Sequence, residues 1–241
     1  MSTDSTANRY LGDDYLNCNP TWDQEDSPWK ATLVRDALDR ENLRPTSIAE
    51  IGCGAGGVLA ALRPYFPEAR LSGFDIAPAA TRFWVQHADK GITFTLGDFL
   101  EITSEKFDVV LLLDVLEHLT DPHGFLKEIK FRADFFVFHF PLDLSVVSVL
   151  REKPLLHVRR KVGHLHYFTK SLALALLSEA GFVILDWHYS GAAFTAPKRT
   201  LKTRFAAILR RLVYMLNHDV GARLLGGETL VVTAIPRGAV R

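Results

Sequence analysis

Apolar residues along this chain fall into two rhythms that take turns. Seven short blocks are either apolar almost throughout or alternate apolar with polar: 46–52 (TSIAEIG), 69–75 (ARLSGFD), 91–98 (GITFTLGD), 107–114 (FDVVLLLD), 133–141 (ADFFVFHFP), 182–190 (FVILDWHYS) and 228–236 (ETLVVTAIP). Blocks of this kind predict β-strands, and the continuous run 107–114 predicts a central parallel strand buried on both faces. The other rhythm is helical. It covers 26–42, with Ser27 as N-cap and Pro28 at the first helical position, then 56–66, 78–88 behind Pro78, 121–131, and 169–181 between Thr169 and Gly181. Pro141 is expected to stop the fifth strand.

Strands alternating with helices predict an α/β fold, doubly wound and Rossmann-like, with a mostly parallel sheet. Right-handed crossovers then put the loops after each strand along one sheet edge, where ligands of such folds bind. Functional residues are expected just after Ile51, Phe74, Gly97, Leu113 and Phe140. A length of 241 residues suits one domain with a full core. We divide it into an N-terminal lid and helix (1–46), a cofactor-binding core (47–143) and acceptor-side cap segments (144–168 and 192–226).

The first of those loops is EIGCGAGG, residues 50–57, and it fits two cofactor grips. Gly52, Gly54 and Gly57 spell the dinucleotide pattern G-x-G-x-x-G. Glu50, Gly52, Gly54 and Gly56 spell E-x-G-x-G-x-G, a pattern of S-adenosylmethionine enzymes. Either way the glycines permit positive φ and let a ligand approach without meeting a Cβ, and the helix start beyond them favours negative charge. Asp75 can accept from both hydroxyls of a ribose. Asp98 can accept from an adenine amino group while Phe99 lies against the ring, and neither Asp98 nor Glu50 has a standing role in a dinucleotide site. The oxidoreductase alternative also predicts a proton donor such as Tyr-x-x-x-Lys after the fifth strand, where none stands.

AEIGCGAGG, LSGFD, FTLGDF, FDVVLLLDVLEHLTDP and GHLHYFTKSLALALLSEAGF together, in this order, resemble the class I S-adenosylmethionine-dependent methyltransferases. The likeness is greatest to the small-molecule branch of ubiquinone-biosynthesis and natural-product enzymes. It implies a seven-stranded sheet with a reversed last strand, and S-adenosyl-L-methionine held by Gly52, Cys53, Gly54, Asp75, Asp98 and Phe99. Glu50, Gly56, Ile76 and Asp114 complete the candidate cofactor set. Methyl transfer from a sulfonium is an in-line displacement, so the reading assigns no metal. What the protein supplies is alignment, and a base when the acceptor is a hydroxyl. His139 and His166 are ranked first as base, followed by His118 and His164. The resemblance implies histidines at 118 and 164, whereas relatives more often carry arginine where His166 stands.

For the acceptor, Tyr15, Trp22, Trp29, His166 and Tyr167 are the candidate contacts, with Tyr10 on the same N-terminal stretch. The histidines favour O-methylation of a sugar, glycoside or other small metabolite. The alternatives are N- or C-methylation, a nicotinamide oxidoreductase, and a cofactor-binding partner without catalysis. DVLEH replaces the Asn/Asp-Pro-Pro-aromatic turn of nucleic-acid amino methyltransferases, so no nucleic acid is expected as partner.

Charge and composition change this picture in two places. Residues 1–143 carry 13 basic and 23 acidic side chains, and residues 144–241 carry 15 and 5, although the net charge is zero. Six basic residues and no acid lie between Lys198 and Arg211, with Leu201, Phe205, Ile208, Leu209, Leu212 and Val213 at helical spacing. Such a segment suits an anionic or lipid-linked acceptor, or peripheral contact with a membrane. The polar N-terminus and two cysteines, Cys18 and Cys53, lead us to expect a cytoplasmic protein.

Overall fold

The computed structural model describes residues 10–12, 14–192, 211 and 213–238. Its sheet contains β1 (Ser47–Ile51), β2 (Arg70–Asp75), β3 (Ile92–Leu96), β4 (Phe107–Leu113), β5 (Ala133–Leu142), β6 (Phe182–Tyr189) and β7 (Glu228–Pro236). The spatial order is 3-2-1-4-5-7-6. Strands β1 to β5 pair in parallel, and β7 runs antiparallel between β5 and β6. The fold is the doubly wound α/β class that the pattern predicts, with the reversed last strand that the resemblance implies.

The continuous apolar run of β4 is buried on both faces because each face has its own helical layer. Val109, Leu111 and Leu113 pack with Val34 and Leu38 of the helix Ser27–Arg40 and with Leu59 and Leu62 of the helix Gly57–Leu62. Val110 and Leu112 pack the other way, with Leu126 and Ile129 of Pro122–Ile129 and Ala173 and Leu177 of Lys170–Glu179. Side chains that alternate in direction along one strand thereby join two separate cores.

Four local expectations are corrected. Ser27 is the first residue of its helix, not the cap. A 3-10 turn, Gln24–Asp26, runs straight into it, and Asp26 at the cap makes no side-chain capping bond. The helix expected over 78–88 is broken into Pro78–Ala80, Thr81–Trp84 and Val85–Lys90. Pro141 does not stop β5, which continues to Leu142. Pairing with β4 ends at His139, so beyond it the strand has a neighbour only in β7, and a residue without an N–H is tolerated there. Phe99, expected beside the cofactor, is fully buried in the core with its ring centroid 4.9 Å from that of Phe74. The basic segment Lys198–Arg210 lies outside the described residues.

Candidate active site

The loop after β1 is fastened by main-chain bonds. The N–H groups of Gly52 and Cys53 both donate to the Phe74 carbonyl, at 2.8 and 3.1 Å. Asp75, buried at the end of β2, accepts from the Gly54 N–H at 2.7 Å and from the Ala77 N–H at 2.8 Å. Burial raises the Asp75 carboxyl above its ordinary value, and these two donors oppose the rise. Gly54 has φ +51°, and a Cβ there would come within 2.6 Å of the Trp22 indole. Gly57 is needed for another reason, since a Cβ on it would meet Ser27 Oγ at 2.5 Å, where the two helices touch. The glycines of both registers are thus required, and spacing alone leaves the cofactor open.

Two adjoining cavities of about 200 Å³ each open at this edge. Gly52, Asp114, His118, Tyr15 and Trp22 line both. Tyr15 and Trp22 come from the N-terminal stretch, where Tyr10, Tyr15, Trp22 and Phe83 form a chain of ring contacts 5.1, 4.8 and 6.2 Å apart. The first cavity adds Lys30, Glu50, Glu117 and His164, and the second adds Asp75 and the exposed Ile76.

Charge in the first cavity is concentrated and unevenly balanced. Lys30 Nζ lies 2.7 Å from Asp114 Oδ2, while His139 Nδ1 lies 2.6 Å from Asp114 Oδ1. Burial works against both ionised forms. Even so, the His139 and Lys30 charges hold Asp114 well below the usual carboxylate range, and Asp114 holds the Lys30 ammonium above its own. Asp114 reaches both partners from a left-handed backbone, φ +57°, directly after β4. Glu50 has no such support. It is buried, burial pushes its carboxyl up to about 8, and its Oε2 has no hydrogen-bond partner among the described residues. Glu50 thus borders the first cavity beside the glycine loop with a buried, unpartnered oxygen, and Asp75 borders the second.

Glu117, His118 and His164 form a second polar group in the same cavity. His164 Nδ1 lies 2.6 Å from Asp143 Oδ2, and His118 Nδ1 lies 2.8 Å from the Tyr10 hydroxyl. The Nε2 atoms of His118 and His164 face Glu117 Oε1 at 3.9 and 4.0 Å. Burial, followed by the Asp114 charge, pushes the Glu117 carboxyl well up.

The sequence-predicted residues divide accordingly. Glu50, Gly52, Cys53, Gly54, Asp75, Ile76, Asp114, His118, His164, Tyr15 and Trp22 meet around the cavities. Gly56 sits behind the loop as the cap of its helix. Asp98 is exposed, caps the short helix Phe99–Ile102 by accepting from the Leu100 N–H, and lines neither cavity. The ranking of His139 and His166 ahead of the other histidines is corrected. His139 is buried with Nδ1 on Asp114 and Nε2 on Thr229 Oγ1 at 2.7 Å, so neither nitrogen is turned to a ligand. His166 and Tyr167 line neither cavity, and the Tyr167 hydroxyl donates to the Leu155 carbonyl. Trp29 lies edge-on to His139 at 5.8 Å and packs its helix onto the sheet. Lys30, Glu117 and Asp143 were missed by sequence reasoning. Glu117 alone carried a signal, an acid directly before His118 and three residues after Asp114 at the end of the fourth strand.

Comparison with known proteins returns one family and several relatives. The family model described as "Methyltransferase domain" matches residues 24–186. The ubiquinone biosynthesis O-methyltransferase of Azorhizobium caulinodans is 35% identical over 119 residues, which cover 42% of this chain and 45% of that protein. The tRNA U34 carboxymethyltransferase of Sulfurimonas denitrificans is 31% identical over 110 residues, 43% of this chain and 37% of that one. The match thus spans less than half the length of either relative. The plantazolicin methyltransferase BpumL, solved with a monoazolic desmethylPZN analog and SAH, superposes with a TM-score of 0.63 at 17% identity over 96% of this chain and 93% of its own. Magnesium protoporphyrin IX methyltransferase from Synechocystis PCC 6803, solved with bound SAH, gives 0.58 at 17% over 96% and 93%. At such identities the shared property is the fold.

Proposed function

Because the chain belongs to the methyltransferase-domain family, we propose that it moves a methyl group from S-adenosylmethionine to a hydroxyl oxygen of a small molecule. The donor supplies an electrophilic methyl carbon on a sulfonium. Everything else falls to the protein. The loop 52–54 and Asp75 would hold the adenosine side, Glu50 and Lys30 would bracket the amino-acid end, and Tyr15 and Trp22, which line both cavities, would shield the join between them from water. Alignment of acceptor, methyl and sulfur at about 3–3.5 Å accounts for most of the acceleration such a site provides.

The observation that carries the choice of oxygen is the position of Glu117, His118 and His164. They bring proton-accepting groups to the cavity that also contains Gly52 and Gly54, where a hydroxyl must lose a proton as it attacks. A panel of phenols, sugars and amines offered with labelled S-adenosylmethionine tests this. We expect transfer to hydroxyls, lowered about 10²–10⁴-fold in His164→Asn with SAH affinity retained. Methyl found only on nitrogen, or full activity in that variant, removes the proposal. No helix among the described residues is long and apolar enough to cross a membrane.

A further inference from the structure

We propose that Ser190, Thr229 and Glu228 are positioning residues for the first cavity: they keep His139 doubly protonated, and that charge offsets Asp114 so that Lys30 is left to meet a ligand carboxylate. The protonation of His139 follows from its hydrogen bonds alone. Assigning the carboxylate to the amino-acid end of the cofactor rests on the methyl-transfer reading.

An unbroken chain of four short contacts joins two carboxylates. Asp114 Oδ1 is 2.6 Å from His139 Nδ1, and His139 Nε2 is 2.7 Å from Thr229 Oγ1. Thr229 Oγ1 is 2.5 Å from Ser190 Oγ, which donates to Glu228 Oε1 at 3.0 Å. Glu228 is buried at the start of β7. Its Oε1 also accepts from the Ala192 and Thr229 N–H groups at 2.9 and 3.0 Å, and its Oε2 lies 3.1 Å from His218 Nε2. Donors gathered in this number favour the ionised acid. Asp114 is held ionised in the same way by His139 and by Lys30 Nζ at 2.7 Å.

Each of these four links needs one hydrogen. Two ionised carboxylates supply none, and the two hydroxyls supply one each. The imidazole must supply the rest, so both nitrogens of His139 carry protons. One donates to Asp114, and the other starts a run through Thr229 and Ser190 to Glu228. A neutral His139 would set two lone pairs against each other at one link, an expensive defect among buried groups. The titratable neighbours are Lys30 beside Asp114, His218 and Tyr189 on the Glu228 side, and His188 beyond His139. None of them provides a hydrogen to these links.

This charge decides what the first cavity accepts. Apart from His118 and His164, its charged lining is Lys30 against Asp23 and Asp114. Burial pushes the Glu50 carboxyl up to about 8 and the Glu117 carboxyl well up, so both acids mostly keep their protons at neutral pH. With His139 neutral, one ammonium would stand against two carboxylates, and the cavity would repel an anion. The imidazolium behind Asp114 restores the balance, and a carboxylate can then sit against Lys30.

The experiment uses the full chain with ¹⁵N-labelled histidine, studied by NMR at pH 8, where an ordinary imidazole with a pKa of about 6.5 is neutral. The His139 ring, located through its contact with Trp29, should show both nitrogens protonated. Ser190→Ala frees the Thr229 hydroxyl to donate to Nε2, so His139 should lose that proton, whereas Ser190→Thr should keep it. In calorimetry at pH 7, Ser190→Ala should bind SAH about tenfold more weakly, on the scale of one charged hydrogen bond. The same variant should bind decarboxylated SAH as the parent does, which also shows that it folds, and Ser190→Thr should bind SAH normally. A singly protonated His139 in the parent at pH 8 overturns the proposal whatever binds. Equal weakening of SAH and its decarboxylated analogue overturns the carboxylate role. No effect on either overturns the cofactor assignment, and a KM then raised only for carboxylate-bearing acceptors places the anion on the acceptor. A doubly protonated His139 in a parent protein that binds no SAH keeps the charge state and removes the methyl-transfer reading.

Discussion

At the β1–β2 end of the sheet's carboxyl edge the ligand surface is main chain, whereas at the β4–β5 end it is assembled from side chains that arrive from distant segments. The first end consists of the 52–57 loop, tied to β2 by the Phe74 carbonyl and the Asp75 carboxylate. Everything it needs lies within one strand–turn–helix unit and the next strand tip. The second end draws Lys30 from the first long helix, Asp114 and Glu117 from the turn after β4 and His164 from the chain beyond Lys153–Lys161, with His139 of β5 buried behind Asp114. A backbone cradle serves any ligand carrying the same adenosine and amino-acid groups. A side-chain assembly can be altered residue by residue, which on the proposed reading suits acceptor choice.

The sharpest way to break this comparison is Gly54→Val. The left-handed conformation costs a β-branched residue about 1–2 kcal/mol, and the new side chain meets the Trp22 indole. We expect SAH affinity to fall at least a hundredfold by calorimetry, about 3 kcal/mol. Near-normal binding would mean that the cradle is not made of backbone.

His139→Ala tests the other end. The imidazole is buried, its loss leaves a cavity, and Asp114 and Thr229 each lose a partner. A destabilisation of about 2–4 kcal/mol in denaturant titration is expected. The pH profile of methyl transfer should keep its shape, because His139 acts by positioning Asp114 and Lys30. Loss of the acidic limb of that profile would instead make His139 the base.

Asp75→Ala is expected to cost somewhat less, about 1.5–3 kcal/mol of cofactor affinity or ten- to a hundredfold. It removes a ribose acceptor and at the same time frees the Gly54 N–H. Affinity unchanged in the variant would place the ribose elsewhere.

These variants also mark the boundary of what the sequence reveals. All seven strands can be read from local apolar rhythm, because each strand is buried by partners that impose the same rhythm along its length, whereas the reversal of β7 came from the family resemblance. The glycine loop and Asp75, which border the cavities, are legible for a similar reason, since glycine spacing and a strand-end acid follow from local backbone geometry, while Asp98, read by the same rule, caps a helix. Pro141 misled because a proline ends a strand only where its N–H would face a neighbour, and strand order decides that. Phe99 misled because one residue past Asp98 the chain turns inward. Lys30 meets Asp114, and His164 meets Glu117, only through tertiary packing, so no spacing along the chain announces either pair. The histidine ranking failed on the same ground: His139 is separated from the ligand surface by its own hydrogen bonds.

Glu50 is the one place where the two ends share a charge problem, and the effect expected there is the smallest. Burial raises its carboxyl to about 8, Lys30 opposes the rise and Asp75 adds to it. In the unfolded chain the same group titrates near 4.3. Between those values the folded protein holds a proton that the unfolded chain has released, so the stability of the ligand-free protein should fall as pH rises through this window. An ammonium bound beside Oε2 favours the ionised form. SAH binding near pH 6.5 should therefore release up to one proton, measurable by calorimetry in two buffers of different ionisation enthalpy. Glu50→Gln should abolish that release, flatten the stability slope, and weaken SAH binding only about threefold to tenfold, since the amide oxygen can still accept a hydrogen bond. Proton release that persists in the variant would assign it to another group and leave Glu50 a buried acid of the core, with the ammonium end of the cofactor held by the β4–β5 side chains instead.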